Sequence, residues 1–400
     1  MGLSGIAELP LHTGHVPPWL ARYMKRLAKA IAEAVVELHG PDTLVERLAD
    51  PFWFQAFNNA IGMDWDSSGS TTVTLGILKQ VAWENPGLGI VVAGGKGANA
   101  RRAPEELGRA EELGLLPSRV AREALRASRL AAKTDSALLQ DGYTLYHHAV
   151  VASEHKWAVI QQGMNPEERM ARRYHWVPPL PGDPTLEPHS AIASSRREQL
   201  IALDMTSRLS QEARRLILDL ARENPRRVAE EAARAWRMLR GDVGLDAWLR
   251  PRSPGDLPRG SRESLERRQL LVKLYRPQPV PPRRLEPVLR RLYDASPSSL
   301  EELLLVEGVG PAVVRSLALV AELIYGAPVS HQDPADTPLD PFRYAYIVGG
   351  KDGVPFPFRK DYAEAVIGFL EEVVAEARLG EKERRQALRR LRRLAGLLEK

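Results

Sequence analysis

Residues 143–165, "YTLYHHAVVASEHKWAVIQQGMN", constrain the fold most, because two strand-like runs are joined there by the short turn "SEHK". A sheet must form around them. Side chains alternate along a strand, so Asp141, Tyr143, Leu145, His147 and Ala149 are expected on one face. Gly142, Thr144, Tyr146, His148 and Val150 are expected on the other. On the second strand, Gln161 and Gln162 present polar groups to both faces at the end of an apolar run.

The polar content of this segment points to chemistry. Asp135, Gln140, Asp141, His147, His148, Glu154, His155, Gln161 and Gln162 fall within 28 positions, and alternation brings Asp141 and His147 to a common site. Carboxylates that hold Mg²⁺ or Mn²⁺, with a histidine to activate water or stabilise a leaving oxygen, make a metal-dependent nuclease. Gln161 and Gln162 would position the substrate. The plainer alternative is a set of half-buried hydrogen bonders, and no H-E-x-x-H spacing is present.

The surrounding chain reads as α+β. "PPWLARYMKRLAKAIAEAVVELHG" is a helix opened by Pro17 and Pro18 and closed by Gly40. "PDTLVERLADPFWFQAFNNAIG" is a helical pair broken at Pro51, and "PSRVAREALRASRLAAKTDSALLQ" is helical again. "GLGIVVAGGKG" is a buried strand that ends in a glycine turn. We expect a mixed α/β domain with a small sheet over 1–190 and a helical connecting region over 191–264 that ends in the basic linker "RPRSPGDLPRGSRES". A mainly helical part follows over 265–400, closing with "EKERRQALRRLRRLAGLLEK", whose stripe includes Leu388 and Leu391.

Residues 298–326, "SSLEELLLVEGVGPAVVRSLALVAELIYG", resemble a helix-hairpin-helix. In that motif Gly308, Val309 and Gly310 form a tight turn that brings backbone N–H groups near a phosphate, and the second helix's N-terminus assists. Such contact reads the DNA backbone, not its sequence. Pro311 suits the first turn of that helix, and Arg315 is placed to reach a neighbouring phosphate. A helical hairpin with a glycine turn and no ligand is the alternative. Some base-excision glycosylases place an Asp after such a hairpin. Here Gly326-Ala327-Pro328 precedes Asp333, but the hairpin has no Lys nucleophile, and Asp333 also fits a turn before Pro334.

Four further clusters are candidates. Asp64 and Asp66 precede a hydroxyl-rich run, "SSGSTT", that either caps a helix or binds phosphate, and Asp64 is a possible metal ligand with Asp135 and Asp141. Lys96 in "AGGKGANARR" and Lys351 in "VGGKDG" lie in glycine loops of the kind that cradle phosphate, although neither is a Walker A loop. Arg172 and Arg173 in "ARRYHW" mix cations with aromatics, as nucleic-acid contacts do.

Composition narrows the classes. The chain has no cysteine, which removes disulfides, thiolate nucleophiles and zinc–cysteine sites, and with its high Arg, Pro and Glu content points to a hot-living source. A net charge of +5 modestly favours polyanionic partners. No apolar run approaches the roughly 20 residues of a bilayer span, and no signal peptide is recognisable, so a cytoplasmic location without a membrane partner is expected.

"GIAELPLHTGHVPPWL", "DPFWFQAF", "DWDSSGSTT", "GGKG", "QDGYTLYHH", "WAVIQQGMN", "ARRYHW", "EPHS" and "GGKDGVPFP", in this order, resemble the domain-of-unknown-function 763 family across nearly the whole chain. The resemblance implies archaeal and bacterial relatives, many from hot environments, and supplies no reaction. Asp66 stands where relatives often carry His, which weakens any role that needs that carboxylate. The expectation is a DNA-processing protein, foremost a metal-dependent nuclease of repair or recombination that acts on DNA beside repair proteins. The alternatives are a non-catalytic DNA-binding scaffold and a DNA glycosylase.

Overall fold

The computed structural model describes residues 16–63, 68–167, 169–194, 202–240, 271–272, 275, 280–335, 337–338 and 358–377. Asp64, Asp66, Lys351, the 250–264 linker and the final leucine-striped helix lie outside them.

A sheet forms the centre. β1 (Val91–Lys96), β3 (Thr144–Ala152), β4 (Trp157–Asn165), β5 (Met170–Trp176) and β6 (Ala191–Ser194) run antiparallel in that order. β8 (Thr337–Pro338) adds a short parallel edge to β6. β2 (Leu139–Gln140) and β7 (Leu203–Asp204) pair separately.

Helices cover both faces. On one side lie α1 (Pro18–His39), α2 (Pro41–Ala49), α3 (Pro51–Ala60), α4 (Ser68–Glu84) and the late helix α12 (Lys360–Ala377). They bury Leu27, Leu44, Phe54, Leu78 and Ile367 against Val92, Ala149, Val151, Ala158 and Ile160. On the other side lie α5 (Ala103–Glu112), α6 (Ser118–Lys133), α7 (Gln211–Ala221), α8 (Pro225–Arg240), α9 (Pro282–Ala295), α10 (Leu300–Leu305) and α11 (Pro311–Leu323). Their core joins Leu107, Leu130, Ile217, Leu289 and Leu317 to Val91, Val150, Val159 and Trp176. Each fully buried Leu or Ile contributes about 1.5–3 kcal/mol. Two apolar faces therefore hold the sheet, here called the N-face (towards α1–α4) and the C-face (towards α5–α11).

Local chemistry places the ends. Pro18 opens α1 where no N–H is needed, and Gly40 closes it at φ 86°. Asp50 caps α3, its carboxylate accepting from the N–H groups of Phe52 and Trp53 at 2.8 Å each. The hydroxyl-rich run read as either a helix cap or a phosphate site leads into α4, with Ser70 and Thr71 buried in its first turn.

The α+β expectation holds, with the sheet in the N-terminal half and helices after it. The 190 boundary does not separate two cores. β6 and β8 extend the sheet beyond it, and the C-face core runs without a break from sheet residues to α11. Among the described residues no helix is long and apolar enough to cross a membrane.

One irregularity decides which residues meet. Leu145 pairs with Gly163 and His147 with Gln162, so Tyr146 is an extra residue in β3. This β-bulge resets the alternation. Leu145 packs on the C-face with Tyr143, Tyr174 and Ile192, whereas His147 precedes Ala149 and Val151 of the N-face. The expected common face for Asp141 and His147 is thus corrected: the bulge puts them on opposite sides.

Candidate functional site

On the C-face, a chain of hydrogen bonds crosses three elements. Ser128 Oγ on α6 lies 2.8 Å from His148 Nε2, and His148 Nδ1 lies 2.8 Å from Gln161 Oε1. Gln161 Nε2 donates to Asp135 Oδ2 at 2.5 Å. Trp176 Nε1 donates to the same oxygen at 3.0 Å, and His189 Nε2 lies 2.6 Å from Oδ1. The protons follow by elimination. Gln161 gives its amide N–H to the carboxylate, so its oxygen faces Nδ1, which must carry hydrogen. Burial lowers the pKa of His148, against the pull of Gln161 and Asp135, so its neutral Nε2 accepts from Ser128. Burial also opposes charge on His189, but Asp135 outweighs it and raises that pKa. A hydroxyl that donates to a histidine has the form of a nucleophile–base pair. Ser128 is nevertheless 3% exposed beneath α6, so the chain ties α6, β3 and β4 to the turn that holds Asp135.

Beside it, Asp141 and Arg172 form a second buried group. Arg172 Nη1 donates to Asp141 Oδ2 at 2.9 Å, and Tyr174 Oη donates to that oxygen at 2.7 Å. Arg172 also meets Asp333 with two parallel bonds of 2.8 Å and stacks 4.6 Å from the Tyr143 ring. Burial disfavours the Arg172 charge, but Asp141, Tyr174 and Asp333 outweigh it and raise its pKa. Burial pushes the Asp141 carboxyl up, against Arg172. Asp333 additionally accepts from the Ala335 N–H at 3.1 Å, as a turn residue does.

The N-face carries a polar rung. Lys96, His147, Gln162 and Arg173 pair in register across β1, β3, β4 and β5. Gln162 Nε2 donates to Tyr146 Oη at 2.6 Å. Arg173 donates to Thr71 Oγ1 at 2.9 Å and Gln55 Oε1 at 3.1 Å, and lies over the Phe54 ring. Neither ring nitrogen of His147 has a partner among the described residues. Burial, with His148, Arg173 and the nearby lysines adding to it, lowers its pKa to about 3. At the strand end, Lys96 is exposed.

The predicted set is therefore divided. Asp135, His148 and Gln161 join in one chain and Asp141 in the group beside it, while His147 and Gln162 lie across the sheet. Arg172 and Arg173, expected to reach nucleic acid, are corrected: both are buried, because neighbours on a strand face opposite ways and each meets buried polar partners. Metal ligation also meets resistance. Both oxygens of Asp135 take protein donors, as do both of Asp141, whose Oδ1 accepts from the Tyr143 N–H. These two carboxylates do not fit a metal, and among the described residues no acid–histidine group is arranged to hold one.

The C-terminal hairpin has a different character. α10 and α11 flank Gly308, which has φ 88°, and Gly310, which caps α11. The Val309 side chain is buried while its carbonyl accepts from Lys133 Nζ at 2.8 Å. The Glu307 carbonyl accepts from Arg291 Nε at 2.9 Å. No acceptor among the described residues takes the N–H groups of Gly308 or Gly310. Arg315 is a correction: it is 6% exposed on the inward side of α11, and burial lowers its pKa, so it does not face solvent where a phosphate would lie.

Sequence inspection missed Ser128, His189 and the Arg172–Asp333 pair. Ser128 interrupts the alanine face of α6, and a polar residue on an apolar face is the signal that it needs a partner. His189 sits in "EPHS", a stretch already distinctive. Asp333 is 161 positions from Arg172, and nothing local marks the pairing.

No curated protein and no solved structure matches the chain. One family model does, over residues 5–358, and its description is "Protein of unknown function (DUF763)". With that match spanning most of the sequence, this three-layer protein belongs to the DUF763 family.

Proposed function

We propose that the chain is a DNA-processing protein that holds DNA by its phosphate backbone through the C-terminal hairpin. One observation carries this: the hairpin's carbonyls at Glu307 and Val309 are taken by Arg291 and Lys133, while the N–H groups of Gly308 and Gly310 meet no acceptor among the described residues. Donors of that kind, held rigid between two cations, suit an anion. The contact is sequence-independent and must weaken as salt rises.

A metal-dependent nuclease with Mg²⁺ or Mn²⁺ is the second form of this proposal, now centred on the N-face. His147 favours it. Its imidazole is neutral, lies near Arg173 and has no partner for either nitrogen among the described residues; it is 1% exposed, so this form of the proposal requires the N-face to open before a substrate reaches it. Asp135 and Asp141 contribute to the fold in this view, and no catalytic step is assigned to them.

The test uses the full-length protein with labelled duplex and single-stranded DNA. Binding is followed by fluorescence anisotropy, and cleavage is followed with Mg²⁺, Mn²⁺ or EDTA. Salt-sensitive binding supports the backbone grip. Cleavage that needs metal and vanishes in His147→Ala supports the nuclease. Binding without cleavage in any metal leaves a scaffold protein, and absence of binding overturns the proposal.

A further inference from the structure

The hairpin does not stand alone on the surface. α6 runs alongside it, tied at two points. Arg126 makes two bonds of 2.6 Å to Glu301 at the start of α10, and Lys133 reaches the Val309 carbonyl at the turn. Gln140, just beyond α6, donates to the Pro311 carbonyl at 3.0 Å. These ties fix the position of α6 relative to the turn.

Two arginines project beside this seam. Arg122 and Arg129 are exposed and have no ion-pair partner among the described residues, in contrast to Arg126 and to Arg119, which pairs with Glu123. Seven residues is nearly two helical turns, so Arg122 and Arg129 share one stripe of α6. The stripe then meets Lys133 at the hairpin. From Arg122 to Lys133 the helix rises about 16 Å, close to the rise of about five nucleotides along one DNA strand. Arg291 approaches the turn from α9 on its other side.

Resting on the backbone grip proposed above, we infer that the DNA-binding surface is composite. The hairpin turn supplies N–H groups, and Arg122, Arg129 and Lys133 of α6 extend the contact along the same strand of a duplex. Duplex is favoured over single-stranded DNA because neither α6 nor the turn carries an aromatic side chain on which an unpaired base would stack. Glu307, exposed at the turn, is an opposing charge on this surface.

The test measures affinity for a fluorescein-labelled 20-base-pair duplex between about 50 and 200 mM KCl, with circular dichroism to confirm folding. Removing two phosphate contacts should reduce the slope of log K against log salt by about two, because each neutralised phosphate contributes about 0.9. Arg122→Gln with Arg129→Gln should therefore weaken binding at least tenfold at low salt and flatten the slope. Arg22→Gln with Lys29→Gln removes the same charge from α1, across the sheet, and should change neither by more than a small amount. Glu307→Gln should strengthen binding. Equal effects from the two double variants would overturn the composite surface while leaving the hairpin grip intact. Wild-type protein that binds single-stranded DNA but no duplex would overturn the composite surface alone, and binding to neither would overturn both.

Discussion

His147 and His148 are consecutive in β3 and belong to different halves of the molecule. The His148 ring is tied to Ser128 and Gln161 on the C-face, while the His147 ring lies on the N-face with neither nitrogen partnered among the described residues. A pair that looks like duplicated chemistry in the sequence is one structural link and one unassigned base.

The two should respond differently to substitution. His148→Leu strands the Ser128 hydroxyl and the Gln161 oxygen in a dry layer and should cost about 2–4 kcal/mol of stability. His147→Leu removes no hydrogen bond and should change stability by less than about 1 kcal/mol. Urea unfolding of both variants checks this, and a large loss in His147→Leu would reveal a partner for that ring.

Acid should reveal the buried histidines. His147 has a folded pKa of about 3 against an unfolded value of about 6.5. Between these values the unfolded chain binds the proton and the folded one does not, so this stability is full above pH 6.5 and drains as pH falls towards 3. His148 and His175 are lowered too, and add to the loss. His189 is raised and acts oppositely, stabilising at low pH and losing that contribution as pH rises through its folded value. The unfolding midpoint should fall steadily below pH 6.5. In His147→Leu the slope of the unfolding free energy against pH, between about pH 6 and 3.5, should be shallower by about 1.4 kcal/mol per pH unit.

Asp333 is a buried clamp in this structure. Its side chain is 3% exposed and takes two bonds from Arg172. Asp333→Asn should cost about 3–5 kcal/mol, because it leaves the guanidinium shared with Asp141 alone. A double-mutant cycle with Arg172→Met should return a coupling above about 1 kcal/mol. A glycosylase acid at this position predicts the reverse, with lost base excision and unchanged stability.

The sequence was most legible where one segment carries its own information. The glycine turn of the hairpin is local, and so is the alternation of β4, whose apolar residues divide correctly between the two cores. In β3 the alternation fails at Tyr146, because a single inserted residue leaves no mark in the sequence and inverts every face assignment across it. "ARRYHW" misleads for another reason. Its two arginines look like surface charges, but Arg172 and Arg173 are stabilised inside by partners far away in the chain. Amphipathic helices announce a buried face without saying which side of the sheet receives it, so the three layers were not legible.

Gly94 locates the junction of β1 with β3, and its substitution tests that pairing. It has φ 91°, and a Cβ there would stand 2.3 Å from the His148 carbonyl oxygen, part of the backbone that cannot retreat without breaking the strand pair. Its own polar groups are held as well: Glu106 accepts its N–H at 2.8 Å, and Lys79 Nζ donates to its carbonyl at 2.8 Å while pairing with Glu106. Gly94→Ala combines backbone strain of about 1–3 kcal/mol with a clash against backbone. The total should exceed about 4 kcal/mol, enough to exhaust much of a typical domain's stability. Lys79→Met loosens the same clamp without the clash and should cost less, about 1–3 kcal/mol. Urea unfolding should rank the variants in that order. If Gly94→Ala proved as stable as the parent, Lys96 and His147 could not be paired as described, and the N-face rung would have to be redrawn.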